Sequence, residues 1–184
     1  ELTVAAEICE DVWVPCPPSI RHALAGATVV VNCSASDETT GKDMYRHDLI
    51  CSQSARLVCG YVYANAGEGE STQDLVFGGQ NIIAENGTCL VESRRFINES
   101  ICADMDLERL DSRMSTFPDP AAAREEGGYL TVEFSFDAVS EDSAGSQDTQ
   151  THGSTQPGGD VLRYVDPTPF VPRDERQRNR RCEE

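Results

Sequence analysis

Hydrophobic and polar positions divide the 184 residues into a patterned front and a polar rear. Leu2, Val4, Ala6 and Ile8 alternate with Thr3, Ala5 and Glu7, a period of two over one strand length. Pro17, Pro18 and Ser19 offer a helix start and Gly26 a left-handed stop, so residues 18–25 read as a short helix. Thr28-Val-Val-Val-Asn-Cys33 is a continuous β-branched run of the kind buried on both faces of a covered sheet. Strand, helix and strand in that order predict a crossover unit.

A polar loop over 34–41 leads into a second helix, Lys42 to Cys59, opened by Thr40 and Asp43 as a capping box and ended by Gly60. Tyr61 to Asn65 reads as a third strand, with Tyr61 and Tyr63 as core residues. Gln80 to Glu85 and Thr88 to Ser93 flank Asn86-Gly87, a strong hairpin signal. Ser100 to Met105 reads as a further strand and Asp106 to Arg113 as a short helix. Residues 1–113 are therefore expected to be α/β, with crossover units leading into an antiparallel hairpin. Behind them, Tyr129 to Phe136 is strand-like, and 137–160, built largely from Ser, Thr, Gln, Gly and Asp, is expected to be a disordered linker. Pro167, Pro169 and Pro172 punctuate an extended stretch, and Arg173 to Glu184 reads as a charged helical tail.

Composition narrows the function classes. The formal net charge of -17 argues against a nucleic-acid or anionic-membrane partner, because phosphates would be repelled over most of the surface. No apolar run reaches the roughly 18 residues a membrane-spanning helix needs. Among 15 basic residues the single lysine is Lys42. The eight cysteines show neither CxxC nor a His pair of zinc-finger spacing, so no structural metal is expected. With no secretory signal at the start, a disulfide framework is not expected either, and most thiols are expected to be small core residues. The chain opens in mid-strand without an initiator Met, and we expect a stretch cut from within a domain. His22, His47 and His152 have no triad context.

Glu7-Ile-Cys-Glu-Asp11 puts Cys9 at the end of a strand, where open α/β sheets gather their reactive groups. Glu7, Glu10 and Asp11 disfavour a thiolate there, so a nucleophilic Cys9 needs a base and a cation from elsewhere. A buried structural thiol is the alternative reading of the same pattern.

Cys9 within Glu-Ile-Cys-Glu-Asp-Val-Trp, then Ala25 to Ser36, Tyr61 to Ser71 and Phe77 to Gly87, resemble the nitrilase-type glutaminase domain of the glutamine-dependent NAD+ synthetase family. The likeness is dense over 1–117 and returns at Pro169-Phe-Val-Pro-Arg-Asp and Arg180-Arg-Cys-Glu-Glu184, which resemble the start of the synthetase domain. It implies part of an α-β-β-α sandwich, with 1–117 as the C-terminal half of the glutaminase domain, 118–160 as an interdomain segment and 161–184 as the threshold of the next domain.

It also implies a chemistry. In this superfamily a glutamate, a lysine and a cysteine cooperate: the thiolate attacks the glutamine carboxamide, ammonia leaves, and water releases glutamate from the thioester. Cys9 matches that nucleophile. Lys42 matches the basic residue that holds the glutamine α-carboxylate, and Ser36 a substrate-contacting serine. Glu10, next to the nucleophile, is a candidate to face the substrate ammonium, with a structural hydrogen bond as the equal alternative. The family's glutamate and lysine precede the cysteine, and only eight residues precede Cys9 here. No cofactor is expected in this chain; ATP and Mg2+ belong to the family's synthetase domain, where ammonia converts deamido-NAD+ to NAD+. The resemblance further implies a cytoplasmic homo-oligomer. The alternatives are a catalytically inactive association module and a stand-alone nitrilase-family amidase.

Overall fold

The computed structural model describes residues 2–70, 73–135, 163–164, 171 and 174–183. Its elements are β1 (Val4–Ile8), a 3-10 turn (Cys9–Trp13), α1 (Pro18–Leu24), β2 (Val29–Ser34), α2 (Lys42–Leu57), β3 (Gly60–Asn65), β4 (Ile82–Glu85), β5 (Thr88–Glu92), α3 (Leu107–Met114), α4 (Pro120–Gly127) and α5 (Glu175–Glu183). Strand order follows chain order. β1, β2 and β3 run parallel, joined through α1 and α2, and β4 and β5 turn back antiparallel. The sheet is thus two crossover units followed by a hairpin, as the hydrophobic pattern predicts.

Register decides what faces the helices. Val30 pairs with Tyr61, and Tyr61 with Ala84; Glu7 pairs with Asn32, Asn32 with Tyr63, and Tyr63 with Ile82. Side chains alternate along a strand, so these two rows share a face. There Val30, Tyr61, Tyr63, Ile82 and Ala84 form one buried cluster with Ala23 of α1, Ile50 and Leu57 of α2, and Val12. The opposite face carries Val4 and Ile8, 45% and 67% exposed, and Cys33, also exposed.

Three boundaries differ from the sequence reading, each for a local reason. Thr40 does not cap α2; Gly41, at φ 82°, occupies the cap position. Val58, at φ 53°, ends that helix, and Gly60 opens β3 instead. A Cβ at Gly60 would meet Met105 Sδ at 2.5 Å, so that glycine serves close packing across the sheet. Ser100 to Met105 is no strand. It is anchored at its far end, where Asp106 N–H donates to Glu85 Oε2 at 2.7 Å.

α4 was not anticipated, although its signal is present. Asp119 Oδ1 accepts from Ala121 N–H at 2.9 Å, Pro120 opens the helix, and Gly128 closes it at φ 64°. Tyr129 onward forms no strand among the described residues. The Asn86-Gly87 turn has φ of 43° and 88°, the paired positive values that such a hairpin requires. The linker expected over 137–160 lies outside the described residues. In the rear unit, Thr151–Glu184, α5 is the helical tail, its start held by Asp174 Oδ1, which accepts from Arg176 N–H at 2.7 Å.

Candidate active site

The C-terminal ends of β1 and β2 bring together the turn over 9–13 and the loop over 34–42. Cys9 has φ 48°, a left-handed conformation that a side chain resists. What holds it there is Asn32. Asn32 Oδ1 accepts from Cys9 N–H at 3.0 Å and from Ser34 Oγ at 2.7 Å, while Asn32 Nδ2 donates to Tyr61 Oη at 3.3 Å. Tyr61 O–H donates in turn to Glu7 Oε1, and Glu7 Oε2 accepts from Ser19 N–H at 2.8 Å at the start of α1. Burial, then the Glu7 carboxylate, pushes the Tyr61 phenol far above its ordinary range, so it serves as a fixed donor. Asp11 Oδ2 accepts from Ile8 N–H at 2.8 Å and pins the entry to the turn. Two of the three acids that flank Cys9 in sequence, Glu7 and Asp11, are thus committed to holding backbone.

Cys9 itself is half-buried. It lines none of four clefts found on the surface, nor does Ser36 or Lys42. The expectation that most thiols are core residues needs correcting among the described cysteines. Cys59 is buried, Cys51 and Cys89 are half-buried, and Cys16, Cys33 and Cys102 are exposed. β2 turns Cys33 to the open face of the sheet, where an apolar run in sequence does not mean burial in the fold.

Ser36 is buried, its backbone held by Asn65, whose Oδ1 accepts from Ser36 N–H at 2.8 Å and whose Nδ2 donates to Ser36 O at 3.1 Å. Lys42 begins α2 and places Nζ 2.5 Å from Asp37 Oδ1 and 5.5 Å from the centre of the Trp13 ring. That hydrogen bond, with the Lys42 charge, holds the Asp37 carboxyl below its usual range despite partial desolvation. Trp13 packs on Tyr45 at 5.5 Å, so Lys42 links the loop to the turn that follows Cys9. Glu10 is exposed on that turn.

Sequence reasoning missed Arg46, the largest of the fully buried side chains among the described residues. Its guanidinium donates to Glu38 Oε1 at 2.7 Å, to Gln80 Oε1, to Asp37 O at 3.3 Å and to Ser36 Oγ at 3.4 Å. Arg94 and Arg95 were not singled out either; Arg95 pairs with Asp43 at 3.0 Å and approaches Glu38 at 3.6 Å. An Arg four residues into a helix carries no signal of burial in sequence; only the acid at position 38 hints at a partner. Tyr63 Oη, buried and without a hydrogen bond of good geometry among the described residues, lies beside the Ser34 and Ser36 hydroxyls. Burial raises its phenol, those hydroxyls and Arg46 offset part of the rise, and Cys9 adds to it, which puts Tyr63 within electrostatic reach of both Cys9 and Arg46.

No family model matches the sequence. The glutamine-dependent NAD(+) synthetase of Mycobacterium tuberculosis (strain ATCC 25618 / H37Rv) is 43% identical over 188 residues, taking in 97% of this chain and 25% of that protein. That of Mycobacterium leprae (strain TN) is 51% identical over 123 residues, or 64% of this chain and 18% of that protein. The chain is homologous to a segment of glutamine-dependent NAD(+) synthetases. It spans about a quarter of the length of the first of these relatives. The carbon-nitrogen hydrolase of Helicobacter pylori G27 superposes with a TM-score of 0.50, covering 70% of this chain and 50% of that one at 17% identity, a likeness of fold. The sheet with α1 and α2 on one face is accordingly part of a nitrilase-type α/β architecture. No helix among the described residues is long and apolar enough to cross a membrane.

Proposed function

We propose that this chain carries the nucleophile of a synthetase's glutaminase domain, spanning residues 1–117, with 118–160 as the interdomain segment and 161–184 as the entry to the synthetase domain. Cys9 Sγ attacks the side-chain amide carbon of glutamine, ammonia departs, and water opens the thioester to glutamate. The ammonia serves the ATP- and Mg2+-dependent amidation of deamido-NAD+ to NAD+ elsewhere in the enzyme, a cytoplasmic homo-oligomer.

Within this chain each residue has a stated task. Cys9 supplies the sulfur. The Lys42 ammonium, which keeps two donors beyond the one on Asp37, takes the substrate α-carboxylate. The Ser36 hydroxyl orients the substrate, and exposed Glu10 faces its ammonium. The proton acceptor for the thiol and the second cation come from outside the described residues.

The observation that carries this reading is the strained Cys9 turn, fixed by Asn32 at the same strand ends that bear Ser36 and Lys42. The test uses the longer enzyme that contains this segment. Cys9→Ala should abolish NAD+ formation from glutamine and leave formation from ammonium salts intact. Persistent glutamine-driven synthesis in Cys9→Ala would overturn the assignment. For the isolated chain we expect no glutamine turnover.

A second reading, an association module, is favoured by one observation. Among the described residues β1 pairs only with β2, and its Val4 and Ile8 are exposed. Light scattering distinguishes the two states: a monodisperse monomer at tens of micromolar speaks against self-association through this edge.

A further inference from the structure

Away from Cys9, a second set of reactive side chains meets where α2 packs against the hairpin. His47 and Cys51 stand four residues apart on α2, hence on one side of it, and Cys89 comes from β5. Their ligand-type atoms all lie within 4.8 Å of one another, and Cys51 Sγ is 3.8 Å from His47 Nε2. All three residues are half-buried.

The imidazole is oriented from behind. Its Nδ1 lies 2.8 Å from Glu92 Oε2. Glu92 Oε1 accepts from Gln80 Nε2 at 2.6 Å, and Gln80 is itself held by Arg46. A carboxylate fixed in this way accepts a hydrogen bond from Nδ1–H, the tautomer that leaves the Nε2 lone pair turned toward the two sulfurs. This is the arrangement by which carboxylates orient histidine ligands. Beside it opens a cleft of about 200 Å3 lined by Asp43, Met44, His47, Asp48, Gln80 and Glu92; Asp43 is paired with Arg95, and the Asp48 and Glu92 carboxylates favour the approach of a cation.

We propose that His47 Nε2, Cys51 Sγ and Cys89 Sγ bind one thiophilic metal ion, zinc(II) by preference, with the fourth position open to water. Two thiolates and an imidazole are a zinc donor set, and two thiolates neutralise its charge. Tetrahedral bonds of about 2.3 Å to sulfur and about 2.0 Å to nitrogen place such ligands roughly 3.5–3.8 Å apart. The His47 and Cys51 atoms stand close to that separation at 3.8 Å, and Cys89 Sγ, within 4.8 Å of both, has to close by at most about 1 Å to complete the set. As each S–Zn bond forms, the thiol proton passes to solvent, so two protons are released per ion bound. The absence of zinc-finger spacing in the sequence does not bear on this set, because its third ligand comes from a different element 38 positions beyond Cys51.

The test takes the whole chain, metal-free and kept reduced by a phosphine. Titration with cobalt(II) should add one equivalent and produce a thiolate-to-cobalt charge-transfer band, displaced by one equivalent of zinc(II). Cys51→Ser and Cys89→Ser should lose the band; Cys33→Ser and Cys102→Ser, at exposed thiols, should keep it. Glu92→Gln retains all three ligands and should weaken zinc about 10–100-fold in competition with a chromophoric chelator. No thiolate band at one equivalent, or a band that survives both Cys51→Ser and Cys89→Ser, would overturn the site. If a serine variant fails to fold, Glu92→Gln decides, and an unchanged zinc affinity there also overturns it.

Discussion

The side-chain amide of Asn32 grips the peptide of Cys9 at both ends, accepting from its N–H at 3.0 Å and reaching its carbonyl through Nδ2 at 3.5 Å. Asn32 is buried, and the same amide ties Ser34 and Tyr61 to the turn. Replacing it with Ala strands several of these groups at once. Asn32→Ala is expected to cost about 1–3 kcal/mol in urea unfolding. A variant as stable as the parent would show that the turn is held by other means.

The left-handed backbone at Cys9 gives a second expectation. A side chain there costs about 1–2 kcal/mol that glycine avoids, and glycine's greater freedom in the unfolded chain offsets about 0.5–1 kcal/mol of the gain. Cys9→Gly should therefore match or exceed Cys9→Ala in stability, by up to about 1.5 kcal/mol. Cys9→Val, β-branched, should fall below both. Thermal melts of the three variants rank them; glycine at the bottom would mean the turn carries no strain.

Arg46 is the buried keystone of the loop that carries Ser36. Truncation to Met leaves the Glu38 carboxylate buried without its main partner, and removing one member of a buried ion pair costs about 3–5 kcal/mol. Arg46→Lys should recover less than half of that loss, because one ammonium cannot span Glu38, Gln80, Asp37 and Ser36 together. Chemical denaturation of both variants checks the order. Equal stability of Lys and Arg would show that charge alone matters there.

Cys59 supplies a pH dependence. Burial first, and the Glu7 carboxylate second, push its thiol from 9.0 up to about 12. The neutral thiol is favoured in the fold, so the stabilisation is whole below pH 9 and is lost as pH rises from there toward 12. Unfolding free energy should fall over that window, and Cys59→Ala should flatten the fall. An alkaline limb identical in both proteins would assign it to other groups.

How far these features were legible follows from the range of the interactions. β1, β2, β3 and the hairpin were readable because their apolar runs and the Asn86-Gly87 turn are local patterns. The cap at Gly41 and the stop at Val58 were missed because Thr40 and Gly60 offered more familiar signals for the same tasks. Gly60 is needed for the approach of Met105, a contact between residues 45 positions apart. Cys9 was visible as a strand-end cysteine, yet Asn32, which fixes it, lies 23 residues away and reads in sequence as one more strand position. Arg46 and the cluster of His47, Cys51 and Cys89 were invisible for the same reason: each joins elements that only the folded sheet brings together.

Lys42 offers the sharpest test of substrate binding, because its two roles separate in kinetics. As the partner of Asp37 it steadies the loop; as the proposed anchor of the glutamine α-carboxylate it contributes a charge-assisted hydrogen bond, worth about 1.5–3 kcal/mol. In a longer synthetase that contains this segment, as proposed, Lys42→Met should raise KM for glutamine about 10–150-fold, with kcat changed far less and ammonia-driven synthesis unaffected. Lys42→Arg should keep most of the affinity, since a guanidinium also serves a carboxylate. Asp37→Asn removes the internal partner and leaves the ammonium in place, so it should lower the melting temperature slightly and leave KM near its parent value or below it. If Lys42→Met lowers stability while KM for glutamine stays unchanged, Lys42 is a strut of the loop and the substrate carboxylate is held elsewhere.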